Sequence, residues 1–144
     1  MAESWDTKIL SYALGDPGGD NKQIYLLRAP SAAFGGGLTI LSGEAVQAGA
    51  VANSLGVGGT TFTLALHKYT NASTPAVYGT IAAAIGGTAV GWGAGVPNSF
   101  TITTSGSTNY LSPGEYLVLQ YNEINAGNPT NASVMIRYIL GRGG

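Results

Sequence analysis

The chain has 144 residues, of which only 9% are charged, with 23 glycines, no cysteine and a formal net charge of −1. A near-neutral chain has no broad electrostatic field for nucleic acid or anionic membranes, and the lack of cysteine excludes disulfides, thiolate catalysis and cysteine-ligated zinc. The length suits one domain, and a composition poor in charge but rich in glycine, alanine and threonine indicates a rigid all-β protein whose surface contacts other molecules.

The first 22 residues contain aromatic side chains that need cover. We expect either an edge strand at residues 7–13 or an arm that docks on a neighbouring subunit, because Trp5 and Tyr12 would be costly to leave in water. Acidic residues precede any apolar run, which is unlike a signal peptide and predicts synthesis in the cytoplasm. Residues 23–144 are predicted to form one β-sandwich domain.

Short apolar or alternating segments predict strands through the middle of the chain. They lie at residues 23–28, 38–44, 60–69, 76–84 and 99–104. In the third of these, Phe62, Leu64 and Leu66 alternate with polar residues, which predicts one buried face. Gly37, just before a strand, predicts a bulge or a tight corner.

Residues 76–96 form a long apolar stretch without charge. Six glycines and scarcely any leucine favour a strand, a turn at residues 86–87 and a loop over a membrane-spanning helix. Trp92, Tyr78 and Tyr110 lie in or beside loops and could bind a sugar. The alternative is that Trp92, held between two glycines, packs into a groove of its own chain or of a neighbouring subunit.

Residues 111–140 contain the clearest pair of strands and predict a hairpin at the centre of the sandwich. Pro113-Gly114 predicts the entry turn. Side chains alternate across the first strand, with Leu117, Leu119 and Tyr121 on one face and Tyr116, Val118 and Gln120 on the other. Because both faces are mostly apolar, the strand is either central in a two-layer stack or covered on one face by another chain.

The titratable side chains form no catalytic constellation. Glu115 and Glu123 lie about 26 Å apart along a straight strand of ~3.3 Å per residue, too far for a glycosidase pair. His67 is the only histidine and is expected at the surface or in an interface. Asp16 and Asp20 lack the further close acids of a calcium loop. We therefore predict no enzyme, no catalytic residue, no metal and no cofactor.

Five segments follow one another in a recognisable order: residues 25–30 (YLLRAP), 35–40 (GGGLTI), 78–92 (beginning YGTI), 111–121 (LSPGEYLVLQY) and 135–141 (MIRYILG). This pattern resembles small structural proteins of tailed bacteriophages, most closely head decoration, or cement, proteins. The resemblance covers about residues 23–141. It implies a homotrimeric β-sandwich subunit on the outside of the virion that bridges neighbouring major capsid proteins, with no active site and neither nucleic acid nor membrane as partner.

The expected fold is a single-domain, antiparallel β-sandwich or jelly roll of about seven or eight strands with an N-terminal arm. The candidate interface residues are aromatic side chains expected near the surface, together with one face of the strand at 116–121. They are Trp5, Tyr12, Tyr78, Trp92, Leu117, Leu119 and Tyr121. Two alternative functions are a phage tail or fibre component and a carbohydrate-binding β-sandwich module.

Overall fold

A computed structural model describes residues 7–15, 17–48, 61–86, 92–124, 129 and 131–141. Within these residues nine strands form two antiparallel sheets, with short 3₁₀ turns at Ala32–Phe34 and Ser105–Ser107. The strands are β1 (Lys8–Ala13), β2 (Lys22–Arg28), β3 (Leu38–Gln47), β4 (Thr61–Tyr69), β5 (Val77–Gly86), β6 (Asn98–Ser99), β7 (Tyr110–Leu111), β8 (Tyr116–Ile124) and β9 (Ala132–Leu140).

The two sheets have different strand orders. The first sheet runs β1-β9-β3-β6, with the short β7 also paired with β3, and the second sheet runs β2-β8-β4-β5. Most connections along the chain therefore pass from one sheet to the other. With β7 set aside, four strands face four strands in the alternating order of a jelly roll. The predicted all-β sandwich is confirmed.

The predicted hairpin at residues 111–140 is wrong. β8 lies between β2 and β4 in the second sheet, while β9 lies between β1 and β3 in the first sheet. Each strand is central in its own sheet, which explains why both are strongly apolar. The alternation of side chains identifies a buried strand but carries no information on which strand pairs with it.

The core lies between the sheets and takes side chains from both. Its largest fully buried members include Leu38, Ile40 and Ile136 from the first sheet, and Phe62, Leu64 and Leu119 from the second. β1 pairs with β9 along its whole length and forms the edge of the first sheet. Residues 1–6 lie outside the described part, so an arm that docks on a neighbouring subunit stays a prediction.

The segment at 99–104 forms only a two-residue strand, at its start, although a longer strand was predicted. The amide of Phe100 donates to the carbonyl oxygen of Gly43 in β3 at 2.8 Å, and the amide of Thr103 donates to Ile81 in β5 at 2.7 Å. The segment thus crosses from one sheet to the other, so it cannot follow either sheet for long. Phe100 is nevertheless buried.

Two predicted turn features have clear physical causes. The amide of Glu115 donates to the carbonyl oxygen of Ser112 at 2.9 Å and Gly114 has φ 85°, which confirms the Pro113-Gly114 turn. At Gly37, a β-carbon would overlap the carbonyl oxygen of Leu111. This glycine therefore permits a close approach between β3 and β7.

Residues 76–96, which the sequence places in strand and loop, contain β5 at Val77–Gly86 and a further described part from residue 92. The predicted turn at residues 86–87 includes position 87, which lies outside the described residues. Across the described ranges, no helix is long and apolar enough to span a membrane.

Candidate functional site

The face formed by Leu117, Leu119 and Tyr121 was proposed as an interface, and the structure corrects this. All three side chains are fully buried in the core between the sheets. Tyr121 stacks near Phe62, with 5.7 Å between ring centroids. Side chains without exposed surface cannot contact a neighbouring subunit, so the outward face of β8 is the one that carries Tyr116, Val118 and Gln120.

Trp92 is also a core residue and not a sugar platform. Its ring stacks on Phe62 at a centroid distance of 4.6 Å and an interplanar angle of 9°, and its Nε1 donates to the carbonyl oxygen of Phe62 at 2.7 Å. Only 7% of the side chain is exposed. A β-carbon at Gly86 would overlap the indole, so glycine at that position leaves room for the ring. The alternative, in which Trp92 packs into a groove of its own chain, is what the structure shows.

The remaining predicted aromatic residues are Trp5, Tyr12, Tyr78 and Tyr110, and the structure describes the last three. Tyr12 is partly buried against the chain's own core. Trp5 lies outside the described residues. Tyr78, at the start of β5, is 61% exposed, more than any other predicted interface residue that the structure describes. Tyr110, the third predicted sugar-binding residue, is half-buried in β7.

Tyr78 also covers a lysine. The ammonium of Lys68 lies 4.8 Å from the centroid of the Tyr78 ring and donates to the carbonyl oxygen of Tyr110 at 2.9 Å. Burial lowers the pKa of Lys68, and the nearby carboxylate of Glu115 partly offsets this by raising it. The Lys68 ammonium contacts a ring of β5 and a carbonyl of β7, so this contact joins the second sheet to the first.

A cluster of three tyrosines lies on the outward face of the second sheet. The ring of Tyr25 meets Tyr69 edge-on at 5.8 Å and 70°, and meets Tyr116 at 5.3 Å and 85°. These are favourable edge-to-face geometries. The guanidinium carbon of Arg28 lies 6.0 Å from the Tyr116 ring. Burial raises the pKa of the Tyr69 hydroxyl, with a further contribution from Tyr25, so this hydroxyl stays protonated.

A row of amides continues the same outward face toward the start of β2. The Nε2 atom of Gln23 donates to Oε1 of Gln120 at 3.2 Å, and Nε2 of Gln120 donates to Oδ1 of Asn21 at 2.9 Å. The same Nε2 lies 3.5 Å from Oδ1 of Asn122. We name the surface formed by Gln23, Tyr25, Tyr69, Tyr116, Gln120 and Asn122 the tyrosine–amide face.

Sequence reasoning missed the tyrosine–amide face as a unit. Tyr25, Tyr69 and Tyr116 come from three strands far apart in the chain, and only the pairing of β2 with β8 and of β8 with β4 brings them together. The signal present in the sequence is a tyrosine at an outward position in each of three predicted strands. The strand order must be known before these three tyrosines can be placed in one cluster.

His67 lies in the middle of the outward face of the second sheet. Its cross-strand neighbours are Val118 and Thr80, and its Nδ1 lies 3.2 Å from the hydroxyl oxygen of Thr80. Burial lowers the pKa of His67 from the usual value of 6.5, because the charged imidazolium is less well solvated there than in the unfolded chain. The side chain is therefore a neutral member of the face.

We expect the unfolding free energy to fall below pH 6.5. The native state holds His67 with a lowered pKa, so the unfolded chain binds more protons as the pH drops from 6.5 toward the native pKa. The His67 contribution is complete above pH 6.5 and is lost below it. Urea unfolding at pH 7.5 and pH 5 measures the loss, and His67→Gln should make it smaller. An unchanged pH dependence in that variant would contradict the assignment.

The outward face of the first sheet carries a shallow depression of about 300 Å³. Ile9 and Met135 provide apolar walls and are 64% and 40% exposed. Glu44 and Arg137 line the same depression on neighbouring strands. The surface thus combines exposed apolar groups with one acid and one base, a mixture that suits contact with another macromolecule.

The carboxylates of Asp20 and Glu123 accept hydrogen bonds from backbone amides and a tyrosine hydroxyl. Oδ1 of Asp20 accepts hydrogen bonds from the amides of Asn21 and Glu123, at 2.9 and 3.0 Å. Oε1 of Glu123 accepts from the amide of Gly19 and from the Tyr121 hydroxyl. Among the described residues there is no group of three or more histidine, aspartate or glutamate side chains that could hold a metal ion. Asp16 lies outside these residues.

Comparison with known proteins gives no family assignment. No protein-family model matches the chain, and no curated protein matches it. Among solved structures, the chain is similar to one from the structure of infectious bursal disease virus, Gx strain, with a TM-score of 0.36 and 14% sequence identity. The match covers 96% of this chain and 37% of that chain. A likeness of this size carries no functional conclusion, so the candidate function depends on the two outward faces.

Proposed function

We propose that the chain is a non-enzymatic virion structural protein that binds the outside of a bacteriophage capsid as a homotrimer and bridges neighbouring major capsid subunits. The observation that supports this most is the outward face of the first sheet. There Ile9 and Met135 are exposed, and both line the shallow depression. An exposed apolar patch around a concavity is typical of a surface that another protein covers.

The low charge of the whole chain agrees with this role. With only 9% charged residues, the chain offers fewer charged groups to water than a typical globular domain does. The centres of protein interfaces are likewise depleted in charge. Symmetric assembly on a particle covers such surfaces in many copies. Jelly rolls occur in viral capsid domains, and also in lectins, so the fold is compatible with the role without deciding it.

The capsid contact is tested by placing a charge on the apolar patch. In co-sedimentation with capsids of the encoding phage, Met135→Lys is expected to lower occupancy at least about tenfold, equivalent to about 1.4 kcal/mol. The matched control is Val77→Lys, which charges an exposed aliphatic side chain of the second sheet. Equal occupancy for Met135→Lys and wild type would refute this face as the capsid contact.

The trimer and the arm are tested separately. Light scattering of the purified chain is expected to give three times the mass of one chain, and a stable monomer or dimer would refute the trimer.

Deleting residues 2–6 removes Trp5 but leaves β1 intact. If these residues act as an arm on the shell, the deletion lowers capsid occupancy and leaves the unfolding midpoint unchanged. Unchanged occupancy would refute the arm.

A further inference from the structure

We propose that the tyrosine–amide face binds a glycan, which lies along β2 and β8 on the outward side of the second sheet. This goes beyond the virion role, because the face is on the opposite side of the sandwich from the depression between Ile9 and Met135. Residues 22–28 alone extend about 20 Å at ~3.3 Å per residue. The surface is therefore long enough for several sugar units.

The tyrosine end offers a fixed aromatic surface. Tyr25 is 49% exposed, and its ring is held by edge-on contacts with Tyr69 and Tyr116. A ring that is already fixed loses little conformational entropy when a ligand binds. The apolar C–H surface of a sugar ring can pack on such an aromatic ring, while the phenol hydroxyl at its edge stays available to polar groups.

The amide end offers hydrogen-bonding groups that are already oriented. Gln120 is nearly buried, and its contacts with Gln23, Asn21 and Asn122 fix the direction of the row. Within the part of the chain that the structure describes, Oε1 of Gln23 accepts no hydrogen bond and Nδ2 of Asn122 donates none. One acceptor and one donor thus remain, one on each side chain that contacts Gln120. Sugar hydroxyl groups both donate and accept, which makes them the matching ligand chemistry.

The charge of this face favours a glycan over other polymers. Arg28 is the cation beside the tyrosines, and His67 is neutral near pH 7 because its pKa is lowered. Arg28 and Lys22, which begins β2, are too few cations for the many phosphate contacts that nucleic acid binding needs. The aliphatic side chains in the middle of the face, Val118 and Ala65, are buried, while Val77, opposite Tyr69 on β5, is exposed beside the tyrosines.

Binding is tested on the purified full-length chain with an array of soluble neutral and acidic hexasaccharides. Wild type is expected to bind at least one of them, and Tyr25→Ala and Gln23→Ala are each expected to weaken that binding about tenfold or more. Tyr25→Phe, which retains the ring, is expected to keep most of the affinity. Tyr78→Ala is the matched control, since it removes a tyrosine that is more exposed but lies over Lys68.

Three results would overturn the proposal. Binding to no hexasaccharide would refute it, as would binding that Tyr25→Ala leaves unchanged while the variant unfolds at the wild-type midpoint. A loss of capsid occupancy in Tyr25→Ala without any glycan binding would show that the face contacts protein instead. Failure here is distinct from failure of the virion role, which Met135→Lys tests on the other sheet. Arg28→Gln should weaken binding of acidic sugars only.

Discussion

Leu117→Asp is expected to leave no folded protein. Leu117 is fully buried, and its cross-strand neighbours in the second sheet are Leu27 and Lys68. A carboxylate at this position would lose its hydration, and the ammonium of Lys68 is already engaged by the Tyr110 carbonyl and the Tyr78 ring, so we expect a cost of several kcal/mol. That is a large part of the roughly 5–15 kcal/mol by which natural domains are stable. Soluble yield and circular dichroism measure the outcome.

Tyr116→Asp is the matched control, one residue away on the outward face of the same strand. It removes edge-on packing with Tyr25, worth about 0.5–1.5 kcal/mol, and places a carboxylate near Arg28. We expect a folded protein with a slightly lower unfolding free energy and a perturbed tyrosine–amide face. If both variants unfolded alike, the outward face would be as essential as the core. If both folded alike, the placement of Leu117 in the core would be wrong.

Strand positions were predictable because burial imposes a period of two on each strand. Phe62, Leu64 and Leu66 are all fully buried, as their alternation indicates. Strand pairing was not predictable from the same signal, because a central strand looks alike in either sheet. This is why β8 and β9 were assigned to one hairpin, although each pairs only with strands from other parts of the chain.

The interface on β8 was misplaced for a related reason. A strand that is apolar on both faces needs cover on both, but the sequence does not say whether the cover comes from another chain. Val118, on the outward face, is fully buried with Tyr25 and His67 as its cross-strand neighbours. Side chains of the same sheet thus cover this strand. Exposed apolar groups lie instead at Ile9 and Met135, on the outward face of the first sheet.

Trp92→Ala is expected to lower the unfolding free energy by about 3–5 kcal/mol, the usual cost of deleting a large buried aromatic side chain. The loss includes stacking on Phe62 at 4.6 Å and the hydrogen bond from Nε1 to the Phe62 carbonyl oxygen. Trp92→Phe keeps an aromatic ring and should recover much of the difference. Urea unfolding monitored by circular dichroism measures all three proteins, and a loss below about 1 kcal/mol would place the ring outside the core.

Gly86→Ala tests the close packing of Gly86 against the Trp92 indole. Gly86 has φ 89°, and an added methyl group would overlap the indole, so both backbone strain and the clash destabilise the variant. Gly95→Ala isolates the strain, because Gly95 has φ 71° and open space around a β-carbon. We expect Gly86→Ala to be the more harmful. In the double variant, Gly86→Ala with Trp92→Ala, the clash is absent. The double variant should therefore lose less unfolding free energy than the two single variants lose in sum. Simple additivity would show that the methyl group and the indole do not meet.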